Sequence, residues 1–372
     1  MRGEKMTAQL KTDANVETTA NGAPVVAITM GDPAGIGPEL ILGSWRDIFD
    51  KTLARPLPTI LPVVYGDPAT IEKAKAFRPC SARVVEIASD FDRANPALGR
   101  PDVIPVVSCC DSSVSTVKLA EISAAGGDAA FRCVNRAIDA ALSKQVDAIA
   151  TGPLHKEALN LAGHHFPGHT EILASRCGTS AFGMALYLGG DSVASPGGLC
   201  IVHTTLHISM RKALDEVTTP NVLEKIRLVR RFMTTVLNGR EPRIGVCALN
   251  CHAGDGGLFG DEEITIISPA TRLAQAEGVD ARGPFPADTL FLDAKNGLYD
   301  GIVAIYHDQG HIATKTIDMF GAVNVALGLP IIRTSVAHGV AFNLAGKGVA
   351  TTRSMIEALR VAALFAIKHE TP

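Results

Sequence analysis

The chain has 372 residues, 47% hydrophobic and 5% aromatic, with 35 basic against 38 acidic side chains and a formal charge of -3. That length holds two domains or one large one, and the near-balanced charge, without blocks of one sign, leaves no nucleic-acid footprint. No apolar run approaches the roughly 18 residues that span a bilayer, which excludes a membrane span. Eight cysteines without a CxxC pair read as reduced core thiols. Residues 1–22 are polar and lack an apolar signal core, so a disordered tail on a cytoplasmic protein is expected.

The first strand is read over 25–30 and breaks at GDPAGIGPE, where Pro38, followed by Glu39, starts a helix. Strand-like runs recur over 60–64, 83–87 and 102–107, and helix-like patterns over 129–143, 221–237 and 354–369. This alternation predicts an α/β protein with largely parallel sheets. Four further apolar runs each end in histidine and polar residues. Residues 146–150 lead into His155 and Lys156, 199–202 into His203 and His207, 244–249 into His252, and 302–305 into His307 and Asp308. Ligands of open α/β sheets sit beyond the carboxyl ends of parallel strands, so these side chains are expected to converge there.

His207, His252 and His307, each ending such a run, form a candidate metal trio that leaves a coordination position open. Taken singly, each is more readily a capped or solvated loop residue; several at equivalent strand ends reverse that balance for the group. Gly168-His169-Thr170-Glu171 opens a helix whose first amides suit phosphate or carboxylate, although an ordinary N-cap reads the same way. Beyond His307, Lys315, Asn324 and Arg333 follow among glycines and short apolar runs, and are expected on loops facing a small anion. No GxGxxG, nucleophile elbow, Walker lysine loop or HExxH occurs, so motif reading alone does not reach a nicotinamide enzyme.

In order along the chain, GDPAGIGPE, TGPLHK, PGHTE, NCHAGDGGLFGDEE, GPFPADTLF, YHDQGHIATK, GAVNVALGLPIIRTSVAHG and AGKG closely resemble the 4-hydroxythreonine-4-phosphate dehydrogenase family. GDxxGIGPE and HGxAxxxAGKG also resemble the isocitrate and isopropylmalate dehydrogenase superfamily, which binds NAD or NADP without the usual fingerprint. The resemblance implies two α/β/α domains with a cleft, over 24–135 plus 318–372 on the cofactor side and 136–317 on the metal, substrate and dimerisation side. It implies a divalent ion (Zn, Mg, Mn or Co) on His207, His252 and His307, at an interface that draws on both subunits of a homodimer. Substrate contacts are implied for His169, Thr170, Lys315, Asn324 and Arg333, and cofactor contacts for His338, Gly339, Ala341 and Asn343. Asn343 stands where relatives preferring NAD often carry an acid, which leaves NAD against NADP open. Asp288, Asp308 and Lys315 are the catalytic candidates.

Within the family, vitamin B6 enzymes usually read HDQGLP, whereas this chain has His311 in HDQGHI, and Leu258-Phe259-Gly260-Asp261 after the histidine of the NPH motif. Both features resemble the branch that acts on D-threonate or D-erythronate 4-phosphate. Cys251 replaces the usual proline of NPH. The expected reaction oxidises the hydroxyl β to the carboxylate with NAD or NADP, and loss of CO2 then gives dihydroxyacetone phosphate. The rivals are the B6-pathway activity on 4-hydroxythreonine 4-phosphate and, from another class, a non-catalytic sugar-phosphate-binding protein. A branch oxidising cis-dihydrodiols of aromatic dicarboxylates is disfavoured by the retained GHTE segment.

Overall fold

The computed structural model describes residues 22–179 and 182–368; the tail expected over 1–22 lies, apart from Gly22, outside them. The strands are β1 (Val25–Thr29), β2 (Leu61–Gly66), β3 (Arg83–Ile87), β4 (Val103–Ser108), β5 (Ala148–Thr151), β6 (Gly183–Leu188), β7 (Leu199–His203), β8 (Ile244–Cys247), β9 (Ala281–Phe285), β10 (Gly301–Ala304), β11 (Val323–Leu327) and β12 (Ile332–Val336). They join in one sheet, ordered β3-β4-β2-β1-β5-β12-β11-β6-β7-β10-β8-β9. Every residue of β1, β5, β7, β8 and β10 is buried, as expected of parallel strands covered on both faces. The helix Thr219–Val236 packs on β7, β8 and β10, and the helix Arg353–Lys368 on β5, β11 and β12. Phe232 and Phe365 stack at 5.0 Å between those two helices and tie the halves of the sheet together. Burying one such ring is worth roughly 2–3 kcal/mol. No helix among the described residues is long and apolar enough to cross a membrane.

The expected parallel pairing holds on both flanks of the sheet but not at its centre. β11 is antiparallel to both β12 and β6, and β6 is antiparallel to β7. Three reversals in succession make β7, β10 and β8 run opposite to β1, β5 and β12. The four histidine-ending runs therefore do not leave the sheet at one end: three leave one way and β5 leaves the other. Both sets of loops instead reach over the antiparallel centre. There Leu186, Asn324 and Ser335 stand side by side on three adjacent strands.

Two other expectations need correction. Residues 307–318 are not a loop but a helix, His307–Asp318, so His307, His311 and Lys315 fall at i, i+4 and i+8 on one stripe. Asn324 and Arg333 likewise sit within β11 and β12. The helix read over 129–143 runs from Ala124 to Leu142, capped by Ser123, whose hydroxyl accepts from the Gly126 amide. Its first turn is masked in sequence by Gly126 and Gly127, which weaken a helix but fit here for steric reasons. A side chain at Gly126 would meet Asp32 Oδ1 at 2.8 Å, and one at Gly127 would meet the Ala158 carbonyl oxygen at 2.1 Å.

Candidate functional site

A cavity of about 220 Å³ opens over the central strands, small for a drug-sized ligand but adequate for a compact polar metabolite. Its walls include His169 and Thr170 from one helix start, Lys156 after β5, Asn324 and Arg333 from β11 and β12, and His207 and His311. Arg333 is the dominant charge. It is 1% exposed, and no carboxylate among the described residues lies within ion-pair distance of it. Its partners are neutral: Thr151 Oγ1, at 3.2 Å from Nε and 2.7 Å from Nη2, and Asn324 Oδ1, at 3.4 Å from Nη1. Burial pushes this guanidinium down to about 9, with Glu171 opposing. A buried cation held only by neutral acceptors is a ready receptor for an anion. Burial, reinforced by Arg333, also holds His169 well below the usual imidazole range, and its Nε2 is buried with no hydrogen-bond partner among the described residues. Thr170 is buried beside it.

Histidines gather along the adjoining wall. The His207 and His307 rings lie 5.7 Å apart, and His311 stacks on His307 at 3.8 Å, nearly parallel. Beneath them His203, 1% exposed, places Nε2 at 3.1 Å from His311 Nδ1. Gly310 makes that approach possible, because a side chain there would lie 2.4 Å from His203 Nε2. Burial is the main reason that His203 falls to about 3 and His311 to about 4, with neighbouring imidazoles, and Lys315 in the case of His311, adding to it.

Carboxylates orient two of the three histidines expected to hold metal. His207 Nδ1 faces Glu171 Oε1 at 3.4 Å, and His307 Nδ1 faces Asp308 Oδ1 at 2.7 Å. With Nδ1 so engaged, Nε2 of each ring is left to coordinate, the usual carboxylate–histidine–metal arrangement. The donor chemistry fits a divalent ion. His252, however, is not beside them, and no group of three or more potential ligands gathers among the described residues of a single chain. It stands exposed on the segment Cys251–Gly257, where five consecutive residues, His252 to Gly256, have left-handed φ between 44° and 74°. Each non-glycine residue in that region costs of order 1 kcal/mol. Glu263, 3% exposed, holds the turn by accepting from the amides of Leu249 and Asn250 at 2.8 Å and from Asn250 Nδ2 at 3.0 Å. Burial opposes its ionisation, but these hydrogen bonds prevail and keep the carboxyl below its ordinary range. Leu258, Phe259 and Ile264 lie exposed around the same turn.

On the opposite wall, His338 and Gly339 line the cavity, Ala341 adopts φ 47°, and Asn343 is exposed. The opening motif holds this loop. Glu39, buried in the helix Gly37–Phe49, accepts from the amides of Gly346 at 2.6 Å and Gly348 at 2.7 Å. The Ile36 amide donates to the Val340 carbonyl at 3.1 Å, and the His155 ring stacks on Phe342 at 5.1 Å.

Sequence reading named His169, Thr170, Asn324, Arg333, His207, His338 and Gly339, and the cavity brings these together. Lys315 is exposed outside the lining, close enough for its charge to act on His311. Asp308 serves His307. Asp288 is exposed, binds the Thr289 amide at 3.0 Å, and is not part of the cavity wall. Missed were the supporting roles of Glu171, His203, Glu263 and Glu39. The one available signal was the i, i+4 spacing of His307 and His311, which becomes legible only once that segment is read as a helix. A second depression of about 390 Å³, lined by Glu224, Arg227 and Arg231, carries none of the residues singled out in sequence.

The family model described as pyridoxal phosphate biosynthetic protein PdxA matches residues 59–362. The chain is 42% identical over 339 residues to the D-threonate 4-phosphate dehydrogenase of Salmonella typhimurium, covering 91% of this chain and 97% of that one. It is 40% identical over 346 residues to the 4-hydroxythreonine-4-phosphate dehydrogenase of Trichlorobacter lovleyi, covering 92% and 98%. A crystal structure of 4-hydroxythreonine-4-phosphate dehydrogenase from Klebsiella pneumoniae superposes with a TM-score of 0.76 at 40% identity, covering 92% of this chain and all of the other.

Proposed function

Because the chain belongs to the PdxA family, we propose that it is a metal-dependent, NAD(P)-linked dehydrogenase. Its substrate is D-threonate or D-erythronate 4-phosphate, and its products are dihydroxyacetone phosphate and CO2. The observation that carries this reading is Arg333, a fully buried guanidinium whose hydrogen-bond partners among the described residues are the neutral Thr151 and Asn324, facing a cavity of metabolite size. The likeness to the Salmonella enzyme favours the threonate-type substrate. The likeness to the Trichlorobacter enzyme keeps 4-hydroxythreonine 4-phosphate as the second reading.

In the proposed reaction the carbon β to the carboxylate gives hydride to the nicotinamide and its hydroxyl gives up a proton. The resulting β-keto acid loses CO2. Arg333, neutral His169 and the Thr170 hydroxyl hold one anionic end, and Lys156 the other, with Lys315 one turn beyond His311 adding its charge from outside the lining, which fixes the carbon that faces the cofactor. His338, Gly339, Ala341 and Asn343, on the loop braced by Glu39, would hold the cofactor. His207 and His307, with His252 of the partner subunit, would hold a divalent ion, which would supply Lewis acidity toward the substrate hydroxyl. Exposure of His252 amid Leu258, Phe259 and Ile264 supports a homodimer in which that turn docks on the second copy. Asp308 orients His307, and neither it nor Asp288 is assigned the role of base.

The test is reduction of NAD+ and NADP+ with a divalent ion and, in turn, threonate, erythronate and 4-hydroxythreonine 4-phosphates. Turnover of the first or second at least tenfold above the third supports the reading, and the reverse order selects the rival. Mixed dimers of H252A and H307A chains address the shared site. They recover activity that neither parent has if the ligands come from two subunits, and recover none if each chain is self-sufficient.

A further inference from the structure

Two backbone carbonyls set the proton positions of the inner histidine pair. His203 Nδ1 lies 3.4 Å from the Met184 carbonyl oxygen, and a carbonyl only accepts, so the proton of His203 sits on Nδ1. Its Nε2, 3.1 Å from His311 Nδ1, is then a lone pair and requires a donor. His311 Nδ1 also lies 3.1 Å from the His307 carbonyl oxygen, which requires the same donor independently. Both contacts place the His311 proton on Nδ1. In a neutral ring Nε2 is left bare, and with Nδ1 turned inward it is the nitrogen that remains for the cavity His311 lines.

We propose that His311 is a substrate-contacting residue whose bare Nε2 accepts a hydrogen bond from a substrate hydroxyl, and that buried His203 is the positioning residue that fixes this tautomer. The proposal rests on the reading of the cavity as a site for a hydroxy-acid phosphate. The 3.8 Å stack puts His311 one ring away from His307. The two imidazoles therefore serve neighbouring oxygens of a vicinal diol, His307 the reacting one and His311 the hydroxyl beside the carboxylate. Gly310 is the feature of the helix that lets this pair form.

The experiment combines nitrogen NMR of the ¹⁵N-histidine-labelled protein with kinetics on threonate 4-phosphate and its 2-deoxy counterpart. In the native protein the His311 signals should show Nδ1 protonated and Nε2 bare. H203Q retains an acceptor for His311 and a donor for Met184, and should keep both the tautomer and KM. H203L removes the acceptor, should release the tautomer, and should raise KM for threonate 4-phosphate roughly tenfold. H311L should lose most of the native preference for the hydroxylated over the deoxy substrate. A protonated Nε2 in the native protein, equal behaviour of H203Q and H203L, or an unchanged preference in H311L would each overturn the proposal. If no phosphorylated acid is turned over at all, the functional reading fails, while the nitrogen spectra still decide the tautomer.

Discussion

Arg333 gives the sharpest test because stability and binding should move in opposite directions. Its displacement to about 9 corresponds to roughly 5 kcal/mol of desolvation, carried in full at neutral pH. Against this stand three hydrogen bonds to Thr151 and Asn324, each worth roughly 1–1.5 kcal/mol. Replacement by methionine, which fills similar space without charge, should therefore leave stability within roughly 2 kcal/mol of the native protein, on the stabilised side. The anion loses its buried partner, a cost of roughly 2–5 kcal/mol, or about a 30- to 5,000-fold rise in substrate KM. Urea unfolding and initial rates measure the two quantities. A variant that unfolds several kcal/mol more easily, yet binds substrate as before, would make Arg333 a strut of the sheet and refute the reasoning.

Three further perturbations probe the supports of the site. G310A would gain up to about 1 kcal/mol of helix propensity on an open helix, but the 2.4 Å clash with His203 should reverse the sign to a loss of roughly 1–3 kcal/mol, read from the urea midpoint. In E39Q the amide can satisfy only one of the two glycine N–H groups, so KM for the nicotinamide cofactor should rise roughly tenfold while KM for the hydroxy acid holds; equal changes in both would exclude a cofactor-loop role. Asp300 is fully buried between Arg243 and Arg240; burial alone would raise its carboxyl, but the guanidinium hydrogen bonds outweigh burial and hold it at about 2. Because the folded value lies below the unfolded one, its contribution of roughly 2 kcal/mol is complete above pH 4 and disappears as pH falls through 2, so D300N should flatten the acid limb of a stability–pH curve.

What the sequence made legible, and what it hid, divides along the distance over which interactions act. The inner parallel strands β1, β2, β5, β7, β8 and β10 announced themselves as apolar runs because each is buried throughout, and the helix at Pro38 because a cap is a local device. The antiparallel centre did not. β6, β11 and β12 are each five or six residues long, and their direction is set by partners far along the chain. That hidden reversal changes how the site must be understood. Had every strand run one way, the site would lie beyond a row of carboxyl ends; instead it lies over the strands, and Arg333 and Asn324 rise from the sheet itself. Side chains anchored in a buried ladder have less freedom than side chains on loops, so the anion receptor is stiff before substrate arrives. The residues beneath it were hidden for the same reason. Glu171, His203 and Glu263 look like an ordinary first-turn acid, a strand end and part of an acidic run. Their meaning comes only from the atoms opposite them: His207, His311 and the left-handed turn that presents His252.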